Sequence, residues 1–162
     1  MGKRGSRRRL TVIAAVLSAI LPGGLAAAEC RETAVQVKGT WGQAQFTVSV
    51  ADDNEERSQG LMFVESMAQS AGMFFIYDRP QPARFWMKNT LIPLDMIFVD
   101  RTGTVKKVHE NAEPLSERLI NGGRDIQYVL EVNGGVAARF GIGPGDQLRH
   151  PGIAQDAAVW PC

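Results

Sequence analysis

Hydrophobic and polar positions alternate in short runs along much of this chain, which is typical of half-buried β-strands. The clearest alternation lies at residues 33–37 and 46–50. Further strands are predicted at 73–77, 84–88, 94–99, 105–109, 126–132 and 146–148, and short helices at 55–62 and 135–140. Many short strands and few helices predict a mainly-β single domain, a β-sandwich or a partly open barrel, with two short helical insertions.

Residues 1–28 have the organisation of a secretory signal peptide. Five basic residues precede an apolar run of twelve residues, and an Ala-Ala-Ala site comes directly before Glu29. A membrane-spanning helix needs about 20 apolar residues, so this run is too short to remain as an anchor. We therefore predict cleavage before Glu29. Residues 6–10 also partly resemble a twin-arginine signal, which leaves the export route open.

Cleavage changes the charge balance of the chain. The full sequence has 18 Lys and Arg against 17 Asp and Glu, and five of the basic residues lie in 1–28, so 13 basic and 17 acidic residues remain, a net charge of −4. Nucleic acids and anionic membranes select basic surfaces, so neither is an expected partner. The predicted location is the periplasm, with the extracellular space as the alternative.

The two cysteines, Cys30 and Cys162, lie near the two ends of the predicted mature chain. Disulfides persist in exported proteins, and the termini of a domain are often close together. We predict a Cys30–Cys162 disulfide, which would stabilise the chain by about 4–5 kcal/mol through loop entropy. A lipid-modified cysteine and a redox-active pair are the alternatives, and neither has its usual spacing here.

The stretch 85–100, FWMKNTLIPLDMIFVD, places several polar side chains among apolar ones. In an extended chain, Trp86, Lys88 and Thr90 face one way and Asn89 faces the other. A strand that served only the core would not need so many polar groups. The stretch is therefore the first candidate for a functional site.

Pro93 is expected to bend the chain, which would bring Asp95 back towards Lys88. One interpretation is a structural ion pair between Asp95 and Lys88 that fixes the bend. The other is a ligand site, in which Lys88 and Arg57 bind a carboxylate or phosphate group. The predicted ligand-binding residues are Arg57, Trp86, Lys88, Asn89, Thr90 and Asp95.

Five motifs, in a fixed order, carry a family resemblance. They are R-x-x-G-L-M at 57–62, G-M-F-F at 72–75, W-M-K-N-T-x-x-P-L-D at 86–95, Y-V-L-E at 128–131 and G-I-G-P-G-D at 141–146. Together they resemble the domain-of-unknown-function family 192, a group of small bacterial and archaeal domains that are often exported. The resemblance implies a single mainly-β domain and names no substrate or reaction.

The resemblance also divides the chain. Residues 48–148 would form the family-like β domain, preceded by a lead strand within 29–47. Residues 149–162 would form a C-terminal tail that ends in the disulfide cysteine.

Two functions of different classes agree with these residues. The first is a binding or accessory module of the cell envelope, which holds a small anionic or polar ligand in a preformed pocket. The alternative is a hydrolytic enzyme in which Lys88 and Asp95 act as an acid/base pair on an envelope carbohydrate or peptide fragment. Glycosidase chemistry would also need a second acid near Asp95, such as Glu131 or Glu110.

No cofactor or metal ion is expected from the sequence. His109 and Glu110 lack the second histidine of a zinc-binding H-E-x-x-H helix. The five methionines of the mature chain are spread among apolar residues, and we interpret them as core residues rather than copper ligands.

Overall fold

A computed structural model describes residues 1–2 and 30–162 of the chain. The signal peptide predicted for residues 1–28 and its cleavage site lie outside the described residues, apart from the first two. The strands are β1 (Ala34–Gly39), β2 (Gly42–Ala51), β3 (Ala71–Phe85), β4 (Leu94–Val99), β5 (Val105–Ala112), β6 (Ile120–Asn133) and β7 (Gln147–Arg149). The helices are α1 (Asn54–Gln59) and α2 (Val136–Phe140). The predicted mainly-β single domain with two short helices is confirmed.

All seven strands belong to one sheet, in the order β5-β4-β6-β3-β2-β1-β7. The neighbouring strands are antiparallel except for β2 and β3, which are parallel. The two edges of the sheet approach each other, because the Val105 N–H donates to the Asp146 carbonyl at 2.8 Å and the Leu148 N–H donates to the Gly103 carbonyl at 2.8 Å. Of the two predicted architectures, the sheet is therefore a curled, partly open barrel.

The curled sheet has a hydrophobic cluster on each face. The inner cluster draws residues from all seven strands, and α2 contributes Val136 and Ala137 to it. The outer cluster covers β3, β4 and β6 and is closed by loop residues such as Leu61 and Met87. Since both faces are covered, every residue of β4 is buried.

Several boundaries differ from the prediction. Residues 84–88 are not a separate strand, because β3 continues through a bulge to Phe85 and the chain then turns. The strand predicted at 126–132 begins earlier, because β6 starts at Ile120. Helix α1 begins as expected, with the Asp53 carboxylate accepting the Glu56 N–H at 2.8 Å. It ends before residue 62, because Gly60 takes a positive φ of 50°.

The disulfide prediction is confirmed. Cys30 and Cys162 are bonded, with their Cα atoms 5.8 Å apart. The tail packs on the domain, since Ile153 lies in the inner cluster and His150 is fully buried. Neither helix of the described part is long and apolar enough to cross a membrane.

Candidate functional site

The W-M-K-N-T motif at residues 86–90 is a turn whose backbone bonds to two other loops. Asn89 adopts a left-handed φ of 56°, which its short polar side chain tolerates. Its carbonyl accepts the Phe63 N–H at 2.8 Å, and the next carbonyl, that of Thr90, accepts the Leu115 N–H at 3.0 Å. The motif therefore lies outside the strands, and its backbone holds the neighbouring loops in place.

Asp95 is completely buried on the inner face of the sheet. Its carboxylate accepts backbone N–H groups from Asn111 at 2.8 Å, Gly135 at 3.0 Å and Ala137 at 2.7 Å. The last two lie at the N-terminus of α2, where the helix dipole favours a negative charge. Asp95 therefore fixes α2 against β4 and β5. Asp95 therefore lies apart from the other predicted ligand-binding residues and does not return towards Lys88 as the sequence predicted.

The predicted ion pair between Lys88 and Asp95 is also not formed. Within residues 30–162, the recorded ion pair joins Lys106 to Asp100 at 4.0 Å. Lys88 instead lies over the Trp86 ring, with its ammonium nitrogen 5.2 Å from the ring centre.

A cleft of about 250 Å³ lies on the outer face of the sheet, beside α1. Three of the six predicted ligand-binding residues line it: Arg57, Trp86 and Thr90. Lys88 and Asn89 lie beside the lining, since Lys88 contacts Trp86 and the Asn89 side-chain amide lies 3.8 Å from the sulfur of Met62. The full lining consists of residues 57–62 with Phe75, Tyr77, Arg84, Phe85, Trp86, Thr90 and Glu131.

Arg57 is held by the protein on one side of this cleft. Its guanidinium donates to the carbonyls of Asp52 and Ile76, the latter at 2.7 Å, and to the side-chain oxygen of Asn54 at 2.8 Å. It also lies 5.1 Å from the centre of the Tyr77 ring. Arg57 thus ties α1 to β3 and leaves a positive charge near the cleft, with much of its donor capacity already used.

Glu131 forms part of the floor of the cleft and is only 4% exposed. It lies on β6 opposite Met73 of β3 and Met96 of β4, so its immediate neighbours on the sheet are apolar. Burial raises the pKa of Glu131 from 4.5 to about 8. Within the described part of the chain, its carboxyl has no recorded hydrogen bond or ion pair with another side chain or with the backbone.

Tyr77 lines the same cleft, and its pKa depends on both Arg57 and Glu131. Burial raises the pKa of Tyr77, the nearby Arg57 charge lowers it, and the Glu131 carboxylate raises it. Both groups therefore carry their protons at neutral pH and can donate hydrogen bonds. Together with Phe75, Phe85 and Trp86, they make a cleft with aromatic walls and a polar floor.

Two residues of this cleft were not predicted as ligand-binding residues. Glu131 was considered only as a possible second acid for Asp95, although an acid inside the apolar run at 128–132 is itself a signal. Arg84, which is exposed at the cleft, was not considered. In the described part of the chain, no group of three or more His, Cys, Asp or Glu is placed to hold a metal ion.

Comparison with known proteins gives a family and no activity. The model of the DUF192 family, described as uncharacterized ACR, matches residues 34–150 and so includes β1 and β2. A protein of unknown function from Novosphingobium aromaticivorans is 42% identical, with a TM-score of 0.70 over 71% of this chain and 82% of its own. A candidate transcription regulator from Sinorhizobium meliloti is 39% identical, with a TM-score of 0.73 over 78% of this chain and 99% of its own. No functionally curated protein matches the chain.

Proposed function

Because this chain belongs to the DUF192 family, which has no described activity, we propose its function from its own cleft: it is an exported binding module for a small ligand with an anionic or polar group. One observation carries the proposal. Glu131 is buried at the floor of an accessible cleft without a partner in the described part of the chain.

Among the described residues, the carboxyl oxygens of Glu131 are not fully enclosed atoms, so they reach the space of the cleft while the protein supplies them with no hydrogen bond. A carboxyl group that faces a cleft among apolar neighbours, with a raised pKa and no protein partner, is a candidate for ligand binding. The cleft also has the composition of a small-molecule site, with aromatic walls and few polar groups.

The mouth of the cleft supports an anionic group on the ligand. Arg84 is exposed there, and its planar guanidinium suits a carboxylate or phosphate. Lys88 adds a second positive charge above Trp86. Trp86 is 44% exposed, which leaves part of its ring free to pack on an apolar portion of the ligand.

The alternative of an acid/base enzyme built on Lys88 and Asp95 has little support. Asp95 is fully buried and already accepts three backbone N–H groups, so it has no access to a substrate. Glycosidase chemistry with Glu131 would need a second carboxyl group, and Glu131 is the only acid among the described residues of the lining.

Two further parts of the proposal rest on the sequence and the disulfide. Export to the periplasm, or beyond it, agrees with the signal peptide pattern and the Cys30–Cys162 bond. A role in transcription, which the name of the Sinorhizobium meliloti protein suggests for that protein, is less compatible with a mature net charge of −4.

A thermal-shift screen tests the proposal on the exported chain, whose intact mass should correspond to a start at Glu29. The probes are acetate, phosphate, glucose and a set of L-amino acids, because a ligand that binds only the folded state raises its stability. At least one probe should raise the Tm of the wild type, and Trp86→Ala should remove that shift. Lys106→Ala is the matched control, since Lys106 is exposed and lies outside the cleft. If no probe raises the Tm, or if Trp86→Ala responds like the wild type, this function is wrong.

A further inference from the structure

The charges around the cleft are unevenly distributed. Arg57, from α1, uses its donors on Asp52, Asn54 and Ile76. Among the described residues, neither Arg57 nor any other cation forms an ion pair with Glu131. The floor of the cleft therefore has a carboxyl group for which the protein supplies no counter-charge.

The other titratable groups near Glu131 give it no counter-charge either. From β3, Tyr77 presents a phenol and Arg84 lies exposed at the cleft. From β4, the neighbour is Met96, while Asp95 lies on the opposite face. Lys88 lies over Trp86 rather than at the floor.

The choice of a carboxyl group rather than an amide at this position is informative. If the floor needed only one neutral donor and one acceptor, a glutamine side chain would offer both without a titration. A glutamate differs in one respect, because it can become negatively charged. That property is useful if the ligand brings a positive charge to the floor.

The aromatic walls favour the same conclusion. A cation is attracted to the face of an aromatic ring, and the cleft that contains Glu131 is also lined by Phe75, Tyr77, Phe85 and Trp86. The exposed guanidinium of Arg84 can hold a carboxylate at the mouth. The cleft thus offers a negative site at its floor and a positive site at its mouth.

We propose that the ligand is a small amino-acid-like zwitterion, with its ammonium group on Glu131 and its carboxylate on Arg84. The inference rests on the proposed binding function and names the ligand class for the same cleft. At neutral pH the O–H bond of the Glu131 carboxyl breaks on binding, and its proton goes to the solvent. The ligand keeps its ammonium protons and forms a charge-assisted hydrogen bond to the new carboxylate. No oxidation or reduction takes place.

The proposal is tested by titration calorimetry with three matched probes. L-Phenylalanine carries both charges, 3-phenylpropanoate lacks the ammonium group, and phenethylamine lacks the carboxylate. Titrations at pH 7 in two buffers with different ionisation enthalpies give the number of protons released.

L-Phenylalanine should bind at least tenfold more tightly than either analogue and release about one proton. Its affinity should fall towards about tenfold per pH unit as the pH decreases below 7, since protons then compete for Glu131.

Variants separate the two ends of the ligand. Glu131→Gln should abolish proton release and weaken L-phenylalanine at least tenfold, while Arg84→Ala should weaken it and retain proton release. If Glu131→Gln does not fold, proton release by the wild type still decides the matter. Binding of 3-phenylpropanoate, acetate or phosphate without proton release, together with no binding of amino acids, would overturn this inference and leave the binding function standing. If no probe binds at all, the binding function itself fails.

Discussion

Asp95 and Glu131 are two buried carboxyl groups in adjacent strands, and the contrast between them separates scaffold from site. Asp95 pairs with Val132 across β4 and β6, directly beside the pair formed by Met96 and Glu131. The one-residue offset turns the two side chains to opposite faces of the sheet. Asp95 is surrounded by three backbone donors, whereas Glu131 has no recorded partner in the described part of the chain.

The contrast shows that burial alone does not tell what a carboxyl group does. The N–H groups at the start of α2 replace the water that the Asp95 side chain loses on burial, so this side chain is part of the scaffold. Glu131 loses most of its water and gains no hydrogen bond from the described part of the chain, so its raised pKa keeps a proton on it at neutral pH and it remains available to a ligand.

The largest effect on stability is expected for Asp95→Ala. This variant leaves three backbone N–H groups without their acceptor, and we expect the free energy of unfolding to fall by about 3–5 kcal/mol. Asp95→Asn keeps one oxygen, so its loss should be smaller. Urea unfolding of both variants measures this. A loss below about 1 kcal/mol in Asp95→Ala would mean that Asp95 is not the anchor of α2.

A smaller effect of opposite sign is expected at Glu131. The folded pKa of about 8 lies above the ordinary value of 4.5, so the folded state holds a proton that the unfolded chain has lost. Glu131 therefore lowers stability progressively as the pH rises from about 4.5 to about 8. Glu131→Gln should be more stable than the wild type by about 3 kcal/mol at pH 7 and nearly equal to it at pH 4.

The difference between the two unfolding curves isolates Glu131. His150 accepts the Gly152 N–H at 3.0 Å, and burial lowers its pKa below the ordinary 6.5. The protein should therefore lose stability as the pH falls below 6.5, because the unfolded chain binds a proton at His150 that the folded state does not. Both proteins share this loss, so it cancels in their difference. A difference that does not change between pH 4 and pH 8 would contradict the raised pKa of Glu131.

Much of the fold could be predicted because strand alternation and caps are local. The start of α1 at Asp53 and the end of α2 at Gly141 follow from side-chain and backbone preferences of single residues. The extension of β3 to Phe85 could not be predicted, because a bulge carries it past Pro80 and Pro82. The disulfide was predictable because the described part of the chain contains only one possible partner for each cysteine.

The site was harder to predict because its residues meet only through the register of the sheet. Asp95 stands in a conspicuous motif beside Lys88, and proximity in sequence favoured a joint role for them. The curl of the sheet instead places α2 over Asp95 and α1 beside Glu131. Asp95 accepts backbone N–H groups from residues 16 to 42 positions further along the chain. The residues next to Asp95 and Glu131 in sequence do not show which of the two acids will receive such donors.

The smallest effect on stability is expected at Lys88. It tests whether the W-M-K-N-T turn at 86–90 and the contacts of Asp95 with α2 are independent. Lys88 is half-buried and contacts the Trp86 ring, and a cation over an exposed ring contributes about 0.5–1 kcal/mol. Lys88→Ala should therefore lower the free energy of unfolding by less than about 1 kcal/mol. In a double-mutant cycle with Asp95→Ala, the two losses should add to within about 0.5 kcal/mol, because the side chains share no recorded contact. A coupling energy above about 1 kcal/mol would restore the ion pair between Lys88 and Asp95 that the motif first suggested, and would remove the separation between scaffold and site.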